Sequence, residues 1–180
     1  KVSGTTTLYV DGNAVGTGSP GNLNETGRVT VGGFSDGNYR FNGYICDARV
    51  VAGTAVYTAN FTPPTEPLTA ISGTNFLLGA KGITRDGSSN NHAMLINGTP
   101  EMIPFTPYKH HTYDASKYGG SVYMDGTDNF STSGGSGRAT SGGAAWTIEF
   151  WMYQYLSGDQ CLFDFRSCLL YTSDAADDGL

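Results

Sequence analysis

The chain has 180 residues, a formal charge of −6, 26 glycines and only 14% charged residues, long enough for one domain with a core. No long segment repeats apolar residues at three-and-four spacing, so the Gly-, Tyr-, Thr-, Ser- and Asn-rich composition predicts short strands joined by tight turns. The ten Lys and Arg form no cluster and no run of 18 apolar residues occurs, so neither nucleic acid nor membrane insertion is expected.

Residues 5–17 read as a hairpin, with Leu8 and Val10 alternating with Tyr9 and Asp11-Gly12 suited to a type I′ turn. A polar loop over 18–27 leads to a short strand at Val29–Val31. After the loop Phe34–Arg40, a strand runs from Phe41 to Val51. Strict alternation places Tyr44, Cys46, Ala48 and Val50 on one face, and Ile45, Asp47, Arg49 and Val51 on the other. On that pattern Asp47 and Arg49 form a structural ion pair. Ala55–Asn60 is expected to make one helical turn or a short strand before Pro63, Pro64 and Pro67 stop regular structure.

Phe76-Leu77-Leu78 begins the second half as a short apolar strand, followed by the turn loop Arg85–His92. Ala93–Ile96 continues as a strand into Asn97-Gly98, a second type I′ signal. Residues 100–118 form a long connection holding His110-His111. Ser121–Met124 then meets an Asp125-Gly126 turn, with Phe130 beginning the partner strand. Residues 131–143 are nearly all Ser, Thr and Gly and read as an exposed loop. Trp146–Tyr155 is the strongest strand pattern in the chain.

The side-chain chemistry is sparse. Cys46, Cys161 and Cys168 fit no zinc spacing, and the adjacent His110 and His111 diverge if extended, which makes them poor chelators. Asp125 and Asp128, three apart across a turn, suit turn capping. Tyr39 with Asp36 and Asn38 on one loop has the composition of a glycan site, an aromatic ring beside hydrogen-bonding groups.

Four segments carry a family resemblance: Ser3–Gly12, Phe41–Arg49, Tyr118–Thr127 and Trp146–Tyr153. Together they resemble the glycine-rich laminin-G-like form of the concanavalin A-like lectin/glucanase superfamily found in phage virion proteins. In that family the opening motifs precede the closing strand within one domain, and here the order is reversed. The resemblance therefore implies an all-β, antiparallel jelly-roll sandwich that is incomplete: 1–70 the closing half of one repeat, 71–167 the opening half of the next. The two halves are expected to share one sandwich, because a half-sandwich alone leaves an open apolar face and unpaired edges.

By the same resemblance the chain is a non-enzymatic carbohydrate-binding or structural module of a multidomain virion or tail-associated protein. Its partners would be a glycan or cell-surface receptor and other virion subunits. The alternatives are an extracellular adhesin repeat on a bacterial surface and the accessory lectin-like module of a glycoside hydrolase. Glucanases of the superfamily set two or three carboxylates on alternate residues of one strand, whereas 146–153 offers Glu149 alone, so no catalytic residue is assigned. Relatives also hold calcium through loop oxygens. Asp36, Asn38, Asp86 and Asn91 are the candidates, with Asp86 and Asn91 the metal assignment, and Cys46 standing where an Asp is usual weakens an acidic site there.

The start, Lys1-Val2-Ser3-Gly4, lacks an initiator Met and a hydrophobic signal core and reads as cut. The end, 168–180, resembles the conceptual translation of a transposase-type sequencing adapter and is expected not to belong to the natural protein.

Overall fold

The computed structural model describes residues 2, 4–19, 28–34, 36–79, 82–108, 112, 114–133 and 144–165. His110-His111, Cys168, most of the 18–27 and 131–143 loops and the 168–180 tail lie outside them. The described chain is all-β. Its strands are β1 (Thr6–Val10), β2 (Asn13–Gly18), β3 (Thr30–Val31), β4 (Asn42–Ala52), β5 (Thr74–Leu77) and β6 (Met94–Asn97). There follow β7 (Glu101–Ile103), the one-turn helix α1 (Ala115–Tyr118), β8 (Ser121–Asp125), β9 (Asn129–Thr132), β10 (Trp146–Gln154) and β11 (Phe163–Asp164).

Every strand pairing is antiparallel. One sheet runs β10-β4-β8-β7, with β5 also on β4, and a second runs β11-β3-β9-β6. Val31 and Phe130 of the second sheet meet Ile45, Ala48, Val50, Phe76, Val122 and Met124 of the first in one buried cluster, which makes the two sheets a sandwich. Both sheets interleave the two halves of the chain: β4 lies between β10 and β8, and β3 between β11 and β9. Neither half of the chain forms these sheets alone.

β1 and β2 stand apart as a two-stranded hairpin, with Asp11 and Gly12 both at positive φ (49° and 77°), as the type I′ turn requires. The other two turn signals act differently. Asn97-Gly98 and Asp125-Gly126 each carry the chain from one sheet to the other, because β6 pairs with β9 while β7 pairs with β8. The buried Asp128 carboxylate ties both crossings, accepting from the Thr99 N–H at 2.6 Å and the Asp125 N–H at 3.1 Å. Residues 53–73 contain neither strand nor helix, so the turn or strand expected over Ala55–Asn60 does not form.

The alternation expected along β4 is broken by a bulge. Arg49 pairs with Glu149 and Cys46 with Trp151, so Asp47 and Ala48 together oppose Phe150. Asp47 takes the left-handed conformation (φ 55°) that the extra residue demands. The phase slips by one. Ile45, Ala48 and Val50 all enter the core, and Asp47 and Arg49 turn to the outer face of the sheet.

Candidate functional site

The outer face of the β10-β4-β8-β7 sheet has two regions, one closed and one open. Over the closed region pass residues 54–69 and 105–108, held by polar groups of the strands. Val56 N–H donates to Thr147 Oγ1 at 2.8 Å, Leu68 N–H to Asp47 Oδ2 at 2.6 Å, and Ser121 Oγ to the Phe105 carbonyl at 2.5 Å. Asp47 and Arg49 do not pair with each other. Arg49 bonds Glu149 through Nη2 at 2.6 Å and Nε at 2.8 Å, and donates from Nη1 to the Thr69 carbonyl. The Tyr57 hydroxyl donates to the other Glu149 oxygen at 2.7 Å, and the Tyr108 hydroxyl donates to Asp47. Each side chain is instead taken by what lies beside or over it: Leu68 and Tyr108 reach Asp47, and Glu149, paired with Arg49 across the strands, takes the guanidinium.

Burial dominates the titration of this region. It pushes the Asp47 carboxyl up from its ordinary value, against the hydrogen bonds from Tyr108 and Leu68. The Cys46 thiol, buried and beside Asp47, is pushed up to about 12, and the Tyr57 phenol, half-buried and bonded to Glu149, also to about 12. A protonated thiol is a poor nucleophile and a poor metal ligand. Both oxygens of Glu149 are taken by Arg49 and Tyr57, so the one carboxylate of the strongest strand acts as a structural tie.

Beyond this cover the face opens onto aromatic rings. Tyr44 of β4 pairs with Tyr123 of β8 on one side and Tyr153 of β10 on the other, so three adjacent strands each set a tyrosine on the same face. The ring centroids lie 5.2 Å (Tyr44–Tyr123) and 6.3 Å (Tyr44–Tyr153) apart. Phe105 and Tyr155 both pack on Tyr44, at 5.0 and 5.4 Å, and the Tyr155 hydroxyl donates to the Tyr44 hydroxyl at 2.9 Å. That bond leads the causes raising Tyr155 to about 12. Tyr44 and Tyr123 are half-buried at the centre, while Phe105, Tyr153 and Tyr155 are 48%, 55% and 52% exposed. Five rings thus gather on one face, three of them open to solvent. Neighbouring rings are tilted by 41° and 49°.

The glycan residues expected from the sequence lie elsewhere. Asp36, Asn38 and Tyr39 are all exposed on the loop before β4, with Asp36 Oδ1 accepting from the Asn38 N–H at 3.0 Å. Tyr39 lines a shallow depression of about 530 Å³ with Phe34, Asp159, Gln160, Cys161, Leu162 and Phe163. Its ring leans on Phe34 at 4.9 Å. The structure therefore brings Tyr39 to a ring-lined surface and leaves Asp36 and Asn38 in their own turn.

The calcium assignment does not fit its residues. Asp86 is buried and accepts from the Leu77 and Ser88 N–H groups at 2.9 and 2.8 Å, from Ser88 Oγ at 2.5 Å and from the His92 N–H at 3.4 Å. These donors occupy the lone pairs that a cation would need. Asn91, exposed and at positive φ, has its carbonyl turned to Arg85. Among the described residues, no group of three His, Cys, Asp or Glu side chains converges as a metal site. Asp125 and Asp128 cap turns as expected, Asp125 Oδ1 accepting from the Thr127 N–H and hydroxyl.

The tyrosine row has a signal in the sequence that single-strand reading misses. Tyr44 and Tyr123 each stand beside residues of the core, Ile45 after Tyr44 and Val122 and Met124 around Tyr123, whereas Tyr153 lies between the exposed Met152 and Gln154. The outward direction of the first two is thus legible, and the adjacency of the three is not. Comparison of the chain with family models, curated proteins and solved structures finds no match.

Proposed function

We propose that this chain is a carbohydrate-binding module whose ligand lies on the aromatic platform of Tyr44, Tyr123, Tyr153, Tyr155 and Phe105. One observation carries the reading: a cross-strand row of tyrosines on one sheet face, with the rings of Tyr153, Tyr155 and Phe105 open to solvent. The apolar C–H face of a pyranose carries weak positive charge and stacks on the negative face of an aromatic ring. Phenol hydroxyls at the ring edges both donate to and accept from sugar hydroxyls. An aliphatic patch would offer neither. The tilt between neighbouring rings favours a single twisted glycan chain over the flat face of a crystalline polymer, which needs coplanar rings.

The laminin-G-like resemblance of residues 3–155 supports placing this module, as a jelly-roll repeat, in a virion or tail-associated protein that meets a cell-surface glycan. A bacterial surface adhesin would use the same platform. The test is a screen of the purified chain against soluble oligosaccharides, with Tyr153→Ala as the comparison. Loss of one exposed stacking ring removes about 1–2 kcal/mol, so affinity falls about 5- to 30-fold with the unfolding midpoint unchanged. Binding that survives Tyr153→Ala and Tyr44→Ala at full strength would place the ligand elsewhere.

A further inference from the structure

The platform has two unlike ends. Glu101 of β7 pairs with Tyr123, Tyr123 with Tyr44, and Tyr44 with Tyr153, so one residue from each of four neighbouring strands falls on a single line. Residues paired across antiparallel strands share a face, and each strand adds about 4.8 Å. The line therefore crosses the sheet at right angles to the strands. It runs from β7 at one end of the strand order to β10 at the other. Tyr153 closes the β10 end with an open ring, and Glu101 closes the β7 end with a carboxylate.

We infer that Glu101 sets the charge specificity of the platform: the ligand is a neutral or amino-bearing glycan chain lying across the strands, and polyuronates are refused. The inference rests on the tyrosine row being the glycan site. Glu101 is exposed, and among the described residues neither ion pair, Arg49–Glu149 or Lys117–Glu66, engages it. Its carboxylate is free to accept from a sugar hydroxyl or an ammonium. The next acid along the same face, Asp125, is committed to its own turn through Thr127. Glu101 is also the one charged residue of the line, so a ligand carboxylate seated beside Tyr123 meets an unrelieved like charge. At one sugar's distance, in a half-solvated site, that repulsion is worth about tenfold in affinity, and an ammonium gains by a similar factor.

The test measures binding of the purified chain by calorimetry at pH 6 to β-1,4-linked hexamers of glucose, glucosamine and glucuronate, together with Glu101→Gln and Tyr153→Ala. The wild type is expected to prefer glucosamine over glucose and glucose over glucuronate, by about tenfold at each step. Glu101→Gln brings the three within about threefold of one another, and 0.5 M salt narrows the wild-type spread in the same direction. Tyr153→Ala weakens all three together. If Glu101→Gln leaves the wild-type order intact while Tyr153→Ala still weakens every ligand, the charge inference falls and the platform reading stands. If Tyr153→Ala changes nothing, the platform reading falls too. Concentration-dependent dimerisation abolished by Tyr153→Ala, with no hexamer bound, would make the face a contact between copies and overturn both.

Discussion

Removal of the Arg49 charge tests whether the two halves of the chain depend on one another. Arg49→Met keeps the apolar length of the side chain but leaves Glu149 with Tyr57 as its remaining partner. The side chains of the pair are 7% and 12% exposed. At that depth the usual worth of a surface pair, about 0–1 kcal/mol, does not apply. Breaking a buried pair costs about 3–5 kcal/mol, because one charge stays behind without compensation. The hydrogen bond from Tyr57 relieves part of that, so the lower end, about 3 kcal/mol, is expected. Adding Glu149→Gln removes the stranded charge and recovers about 2 kcal/mol of the loss, a coupling that a double-mutant cycle reads directly. Urea denaturation serves as the assay, with the midpoint falling and the slope unchanged. Arg49 and Glu149 are 100 residues apart and sit on strands of a shared sheet, so the wild type should unfold in one transition. A loss under 1 kcal/mol for Arg49→Met, or two resolved transitions in the wild type, would refute the argument.

Asp47→Asn should change the pH dependence of stability. The folded carboxyl titrates above its unfolded value, so the stability it contributes is fully present below the unfolded pKa of about 3.9 and is lost as pH rises through the folded value. The variant has no such proton to lose, and its stability relative to wild type should therefore improve from pH 4 toward pH 7; a constant difference across that range would contradict the burial argument. Gly43→Ala should loosen β4 from β10. A Cβ there would lie 2.1 Å from the Tyr153 carbonyl oxygen, at a backbone φ of 150°. A clash with backbone cannot relax by a rotamer change, so a cost of about 3 kcal/mol or more is expected in the same urea assay, and a cost under 1 kcal/mol would mean that the strands separate freely.

What could be read in the sequence was local, and what could not was partnership. Asp11-Gly12 makes its hairpin because β1 and β2 are neighbours in both chain and space. Asn97-Gly98 and Asp125-Gly126 offer the same residue types, yet each joins strands of different sheets, since β6 pairs with β9 and β7 pairs with β8. The positive φ that glycine supplies was correctly signalled, but it serves a crossing held by Asp128. The same limit governs the site. The loop of Asp36, Asn38 and Tyr39 reads as a binding loop because its residues are contiguous. The platform draws on β4, β8, β10 and the segment after β7, so no contiguous stretch contains it.

The bulge at Asp47 is what divides that face into a closed half and an open one. Without the extra residue, Ile45 in the core would carry Asp47 and Arg49 inward with it, and two charges would have to be buried between apolar sheets. With it, both turn outward, where Leu68, Thr69, Tyr108 and Glu149 satisfy them beneath the crossing chain. Tyr44 lies before the bulge and keeps the register that aligns it with Tyr123 and Tyr153. The covered network therefore fixes the β4–β10 pairing from one side, while the uncovered side of the same two strands presents the rings. A rigid base lowers the entropy lost when a ligand orders those rings, so deleting the bulge residue should disturb the platform as well as the fold.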